Sequence, residues 1–350
     1  MRNRAPISRV LPVIKRELAS RRGTLAAASL FTAAVVAVAV TPKLLGTRVF
    51  QAFDALGDAQ PAWLWLAALL VVVMLVASAQ AWRTVVQSVG GNVSRADASA
   101  RYAIGSTVNT FAPARLGDVV RIALFSRVLG REDGTWTTVG VYTTIGAARA
   151  FWVGVLVVIA IATSALPAWA ALASAVFVAA AVAAALIARR RNGNSHLAHF
   201  FDAYRELGRN PRRAAPIVFW VGVATLARVG AATAIASSLG IRHSLAAALL
   251  IVPALEGGSL LPLAPGALGV SSGAVVLALK SAGIGTTTAL TVGIGFHAVE
   301  AAAAVVGGIV GTLVLAGEQR PMARHAATVL SGACAIVVVA GSLGVGFDIA

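Results

Sequence analysis

The chain has 350 residues, of which 58% are hydrophobic and 12% charged, and a formal net charge of +16. About a quarter of the residues of a soluble domain are charged, so this chain has too few polar groups to cover a water-facing surface. The 29 Lys and Arg lie in short runs between apolar stretches, a pattern that marks membrane topology rather than nucleic-acid binding.

The first 24 residues carry seven Lys/Arg around Ile7, Val10, Leu11, Ile14 and Leu18 at helical spacing. They suit either a basic interfacial helix on anionic lipid or a solvated tail before the first span. Ala37-Val38-Ala39 resembles a cleavage site, but the basic lead is long for a signal peptide. A spanning helix needs about 20 apolar residues. The stretches 61–82, 136–161, 166–188, 215–239 and 286–315 meet that length, and 25–41 and 326–346 are shorter but acceptable. Trp63, Trp65, Trp82, Trp136 and Trp169 stand at the ends of these stretches, where interfacial anchors or lipid-facing bulk are expected.

Two apolar stretches are interrupted. One is 102–129, with Pro113 and Gly117; the other is 245–281, with Pro253, Pro262, Pro265, Gly266 and Gly269. Proline removes a backbone donor, and broken backbone at membrane depth is tolerated only inside protein or beside water. Both are expected to be re-entrant helical hairpins. The expected fold is thus an all-α polytopic membrane protein of about seven transmembrane helices and two re-entrant hairpins. It comprises a segment 1–24 and one membrane domain, 25–350. With this layout 23 Lys/Arg fall on one side and 4 on the other, which places the N-terminus in the cytoplasm.

Phe111-Ala112-Pro113-Ala114-Arg115-Leu116-Gly117 parallels Leu263-Ala264-Pro265-Gly266-Ala267-Leu268-Gly269. Each is followed by an apolar helix ending near a glycine, Gly130 or Gly283, and then by a Thr-led span. The halves, about 61–188 and 215–346, have the same order and opposite expected orientation. Such inverted repeats are typical of transporters, with the site between the halves near the midplane.

Arg149 and Glu300 lie in mid-span at matching places of the two halves, and Arg228 and Glu256 are two further buried charges. A charge at the bilayer centre costs at least about 2.5–3.5 kcal/mol, so each needs a partner or a task. Arg149 and Glu300 are expected either to pair or to line one cavity. Arg115, Asp118 and Arg121 follow one another at spacings of three beside a helix start, where Pro113 fits the first turn. Arginine forks match phosphate bidentately, so this cluster suits an anionic lipid headgroup or, more simply, a cytoplasmic stop-transfer anchor. His297 and Glu300 are three apart on one helix, a single pair that does not make a metal site. The chain shows no hydrolase, metalloprotease or P-loop signature, and no cofactor is expected.

Asn109-Thr-Phe-Ala-Pro113-x-Arg115-Leu-Gly117-Asp118-x-x-Arg121 resembles the first motif of the lysylphosphatidylglycerol synthase transmembrane, flippase-like family, and Pro265-Gly266-Ala267-Leu268-Gly269-Val270 resembles its second. The resemblance runs over roughly residues 20–320. It implies a bacterial or archaeal inner-membrane protein. In the best-known member a fused aminoacyl-tRNA-dependent transferase makes the lipid, and the membrane domain is implicated in moving it between leaflets. Two departures stand out: Asp118 where the family usually has Glu, and Ser272 where it usually has Glu. No soluble transferase domain is expected here, because the longest cytoplasmic segment is only about 50 residues. The resemblance implies a translocase for a phospholipid or polyprenyl-linked lipid. The alternative is a non-transporting partner of a membrane glycosyl- or aminoacyl-transferase, which the Ser272 departure favours. Either is compatible with an oligomer.

Overall fold

A computed structural model describes residues 59–111, 116–130, 134–163, 211–258 and 268–317, all within one compact unit, Gln51–Ala350. Among the described residues the structure is helical: α1 (Pro61–Ser88), α2 (Arg95–Phe111), α3 (Leu116–Leu129), α4 (Gly134–Ala162), α5 (Pro211–Ser238), α6 (Ser244–Gly258), α7 (Leu268–Ser281) and α8 (Thr286–Gly317). Helices α1, α4, α5 and α8 are long and apolar enough to cross a membrane. They coincide with four of the expected spans, and the chain is a multi-pass membrane protein. The stretches 25–41, 166–188 and 326–346, with Trp169, lie outside the described residues.

Each interrupted stretch contains two short helices. Leu116-Gly117 opens α3 and Leu268-Gly269 opens α7, so the two glycines lie inside first turns rather than at the breaks. Pro113, Arg115, Pro262, Pro265 and Gly266 lie outside the described residues. Pro253 does not break its helix: it lies inside α6. Proline costs one backbone hydrogen bond there, a loss that membrane helices tolerate when neighbours re-satisfy the freed carbonyl. Helix α2 begins at Arg95, seven residues before the apolar stretch. Its first turns are polar, so hydropathy alone misses them.

The described helices form two runs of four, α1–α4 and α5–α8, each long, short, short, long: 28, 17, 14 and 29 residues, then 28, 15, 14 and 32. Exchanging the runs maps each principal helix contact onto another. Thus α1·α2 answers to α5·α6, α2·α3 to α6·α7, α3·α4 to α7·α8, α2·α8 to α6·α4, and α1·α8 to α5·α4. The turns match too. Gly90 and Gly240 take positive φ of 90° and 73° two residues beyond α1 and α5. Gly91 N–H donates to Val86 O at 2.9 Å, and Ile241 N–H to Ala236 O at 3.1 Å. Both are the same glycine C-cap, a left-handed position that only glycine adopts without strain. Gly130 and Gly283 have positive φ after α3 and α7.

Helices α1 and α5 form the central seam and run antiparallel, since Gln60 before α1 donates its N–H to Ser238 O at the end of α5 (3.2 Å). The seam is built from buried Ala67, Ala77, Ala224, Ala227, Ala231 and Ala232. Small side chains let membrane helices approach closely, and dispersion then holds them, because lipid offers no hydrophobic drive between helices. One end of the seam is packed by α6, α7 and α8 around Ile251, Leu279 and Phe296. The other is packed by α2, α3 and α4 around Trp82. Trp82 is 2% exposed and stacked on Phe125, with ring centroids 4.8 Å apart. It is a core residue, not an interfacial anchor, because it faces α3 rather than lipid. Trp63 and Trp136 are exposed.

Candidate functional site

Two polar clusters stand in the apolar interior. The first joins α2, α3 and α4. Gly105 and Gly117 bring α2 and α3 close: a Cβ on Gly117 would collide with Gly105 O. That approach sets Asp118 beside Asn109. Asn109 Nδ2 donates to Asp118 Oδ1 (2.9 Å), and the Asp118 N–H donates back to Asn109 Oδ1 (3.2 Å). Arg121 Nη1 donates to Asp118 Oδ1 (2.7 Å) and its Nη2 to Ser106 Oγ (3.0 Å). Tyr142 on α4 donates its phenolic proton to Asp118 Oδ2 (3.0 Å). The Arg121 guanidinium lies 4.0 Å from the Tyr102 ring centroid, within cation–π range. Arg121 is therefore buried and held on several sides, in contacts made wholly within the first four helices.

The second cluster joins α4, α5, α6 and α8. Arg228 on α5 reaches two carboxylates. Its Nη1 donates to Glu256 Oε1 in the last turn of α6, and its Nη2 to Glu300 Oε1 on α8 at 3.0 Å. The other oxygen of Glu256 lies 4.0 Å from Arg149 Nη1 on α4. His297 Nδ1 lies 3.9 Å from Glu300 Oε2. The order is Arg149, Glu256, Arg228, Glu300, His297. Two Arg and two Glu balance, so the network places no net charge in the membrane while His297 is neutral. That balance answers the cost of a lone mid-span charge.

The sequence places Arg149, Arg228, Glu256, His297 and Glu300 inside membrane segments, and the structure gathers all five. The expected pairing of Arg149 with Glu300 is not the one formed. Arg149 faces Glu256, and Glu300 faces Arg228. The reason is that α6 ends at the depth of the α4 and α8 midpoints, so the carboxylate of its last turn stands between the two arginines. Overlay of the two repeat motifs gives depth along a span but not the lateral order of helices. Sequence reading also passes over Ser106, Tyr102 and Tyr142, which carry no charge. Asn109 lies in the quoted motif, and its position before Pro113 was the available signal.

No group of three or more His, Cys, Asp or Glu that could hold a metal occurs among the described residues. Ser272 is buried near the start of α7 against Gly293 of α8, and its hydroxyl has no hydrogen-bond partner among the described residues.

A comparison with curated proteins finds no match. Residues 24–308 match the family model described as the lysylphosphatidylglycerol synthase TM region. That span takes in the central seam, both short-helix pairs and every charged residue of the two clusters, and the chain belongs to this family.

Proposed function

We propose that this protein is a translocase of the bacterial or archaeal cytoplasmic membrane. It binds the anionic headgroup of a phospholipid or polyprenyl-linked lipid between two inverted halves. The observation that carries the reading is the balanced charge network at mid-membrane, to which one half contributes Arg149 and the other Arg228, Glu256, His297 and Glu300. Transporters built from inverted repeats keep their sites at that depth and line them with the ends of broken helices. The last turn of α6 is such an end. The inverted arrangement is supported by the matching contacts and C-caps of the two runs and by the antiparallel α1–α5 seam. The short pairs α2–α3 and α6–α7 act as re-entrant hairpins. The basic bias places the N-terminus in the cytoplasm.

The test is a leaflet-sidedness assay. Fluorescent phosphatidylglycerol is followed in proteoliposomes with and without the purified full chain. The reading expects faster exchange with protein, and equal rates would reject it. Asn92→Cys and Arg242→Cys, at exposed positions after α1 and α5, should label from the cytoplasm and from outside respectively. Labelling of both from one side would reject the inverted arrangement.

A second reading has one observation in its favour. Ser272 stands where the family usually has an acidic residue, and its buried hydroxyl is unpartnered among the described residues. A half-site that has lost its charge suits a non-transporting partner of a membrane transferase. Equal exchange rates, together with co-purification of such a transferase, would support it.

A further inference from the structure

We propose that Arg149 is the residue that holds the phosphate of an anionic lipid, and that Glu256 occupies the phosphate position when the lipid is absent. The proposal rests on the translocase reading and names the binding charge of that site.

The two arginines of the network are unequally engaged. Arg228 directs one terminal nitrogen to each of two carboxylates and has the Phe296 ring 5.9 Å away. Its side chain is 19% exposed. Among the described residues Arg149 has one ion-pair partner, at 4.0 Å, and its side chain is 42% exposed. A guanidinium carries five N–H donors in a fixed fork. At 4.0 Å the Glu256 oxygen is beyond hydrogen-bond distance. Arg149 therefore stands at the middle of a span with its charge balanced by the network but its hydrogen-bonding fork unfilled among the described residues. A phosphate matches that fork in shape and sign.

The surroundings of Arg149 admit such a group. Gly146, one turn earlier, has nothing within 4 Å of the place where a Cβ would stand. Ala147 and Ala150 are small and exposed, and Phe151 beside them is 57% exposed. The face of α4 next to the charge thus combines small side chains with the exposed Phe151 ring, a surface along which acyl chains can lie while the headgroup reaches inward.

Glu256 is placed to yield. Its Oε1 is held by Arg228 and only its Oε2 faces Arg149. An arriving phosphate displaces that second contact and leaves the carboxylate still paired. The four charges sum to zero, so an added monoanion leaves the site at minus one. Binding is then reversible, as release to the other leaflet requires. Removing the Glu256 charge abolishes the competitor and balances the loaded site.

The test is binding of dihexanoyl-phosphatidylglycerol, and separately of inorganic phosphate, to the purified full chain in neutral detergent by isothermal titration. Arg149→Ala should weaken lipid binding at least about tenfold, and Arg149→Lys less than that, since an ammonium keeps the charge without the fork. Glu256→Gln should tighten lipid binding by about tenfold, an energy well within what one close charge pair supplies. Unchanged binding in Arg149→Ala overturns the assignment of Arg149. Unchanged or weaker binding in Glu256→Gln, with a melting temperature like that of the wild type, overturns the placeholder role. Inorganic phosphate binding as tightly as the lipid would make this a free-phosphate site and overturn the lipid assignment. If the wild-type chain binds no phosphatidylglycerol while exchange in proteoliposomes is accelerated, the inference fails and the translocase reading stands.

Discussion

The two polar clusters contain similar residues and are built in opposite ways. Around Arg121 the two terminal nitrogens are taken up by Asp118 and Ser106, the ring of Tyr102 covers the guanidinium, and all its partners come from the first run of helices. Around Arg149 the fork is mostly unfilled, the side chain is half-exposed, and the partner comes from α6 in the other run of helices. An arginine enclosed by its own neighbours fixes the helices that supply them. An arginine left open at mid-membrane is available to a ligand. On the proposed function, the first cluster ties α2 and α3 to α4, and the second is where the two runs of helices would meet the lipid. Arg228 is the intermediate case, with both terminal nitrogens engaged yet bridging α5, α6 and α8.

That contrast is breakable by substitution. The largest stability effect is expected from Arg228→Ala, which strands Glu256 and Glu300 without their shared cation. Breaking a buried pair costs about 3–5 kcal/mol, so folded yield and thermal stability in detergent should fall sharply. The double variant Arg228→Ala with Glu300→Gln should recover part of the loss; no recovery would mean that the carboxylates are not the cause. Asp118→Asn should follow. It keeps the shape but removes the charge that Arg121, Asn109 and Tyr142 share, a loss of about 1.5–3 kcal/mol. Lipid exchange per folded molecule should be unchanged, which is how a staple differs from a site. Gly117→Ala comes next, since its Cβ would meet backbone atoms, Gly105 O and Asn109 N. Backbone cannot rotate away as a side chain can, so overpacking of about 1–3 kcal/mol is expected, and a wild-type melting curve would mean that α2 and α3 are less tightly apposed.

Much of this architecture is legible in the chain. The four described spans follow from length and hydropathy alone. The paired Leu-Gly starts of α3 and α7 were visible as a repeat, because a close helix approach and a helix start both constrain residue type. Gly130 and Gly283 were visible as helix ends for the same kind of reason. The failures share a physical cause. Trp82 sits at the end of an apolar stretch, and nothing along the chain says that Phe125 waits beside it. Pro253 looks like a break, but the helix continues through it. Arg149 was matched to Glu300 by depth, whereas Glu256 intervenes because of where α6 ends. Depth in a membrane is written in hydropathy; the lateral neighbour of a charge is not.

The central claim is that Arg149 serves the lipid and not the fold. Its pair with Glu256 is long and half-exposed, so Arg149→Ala should destabilise the chain less than Arg228→Ala does. The deciding measurement is the exchange rate of fluorescent phosphatidylglycerol in proteoliposomes carrying Arg149→Ala at wild-type folded amount. The account predicts a rate at the protein-free background. A wild-type rate would contradict it.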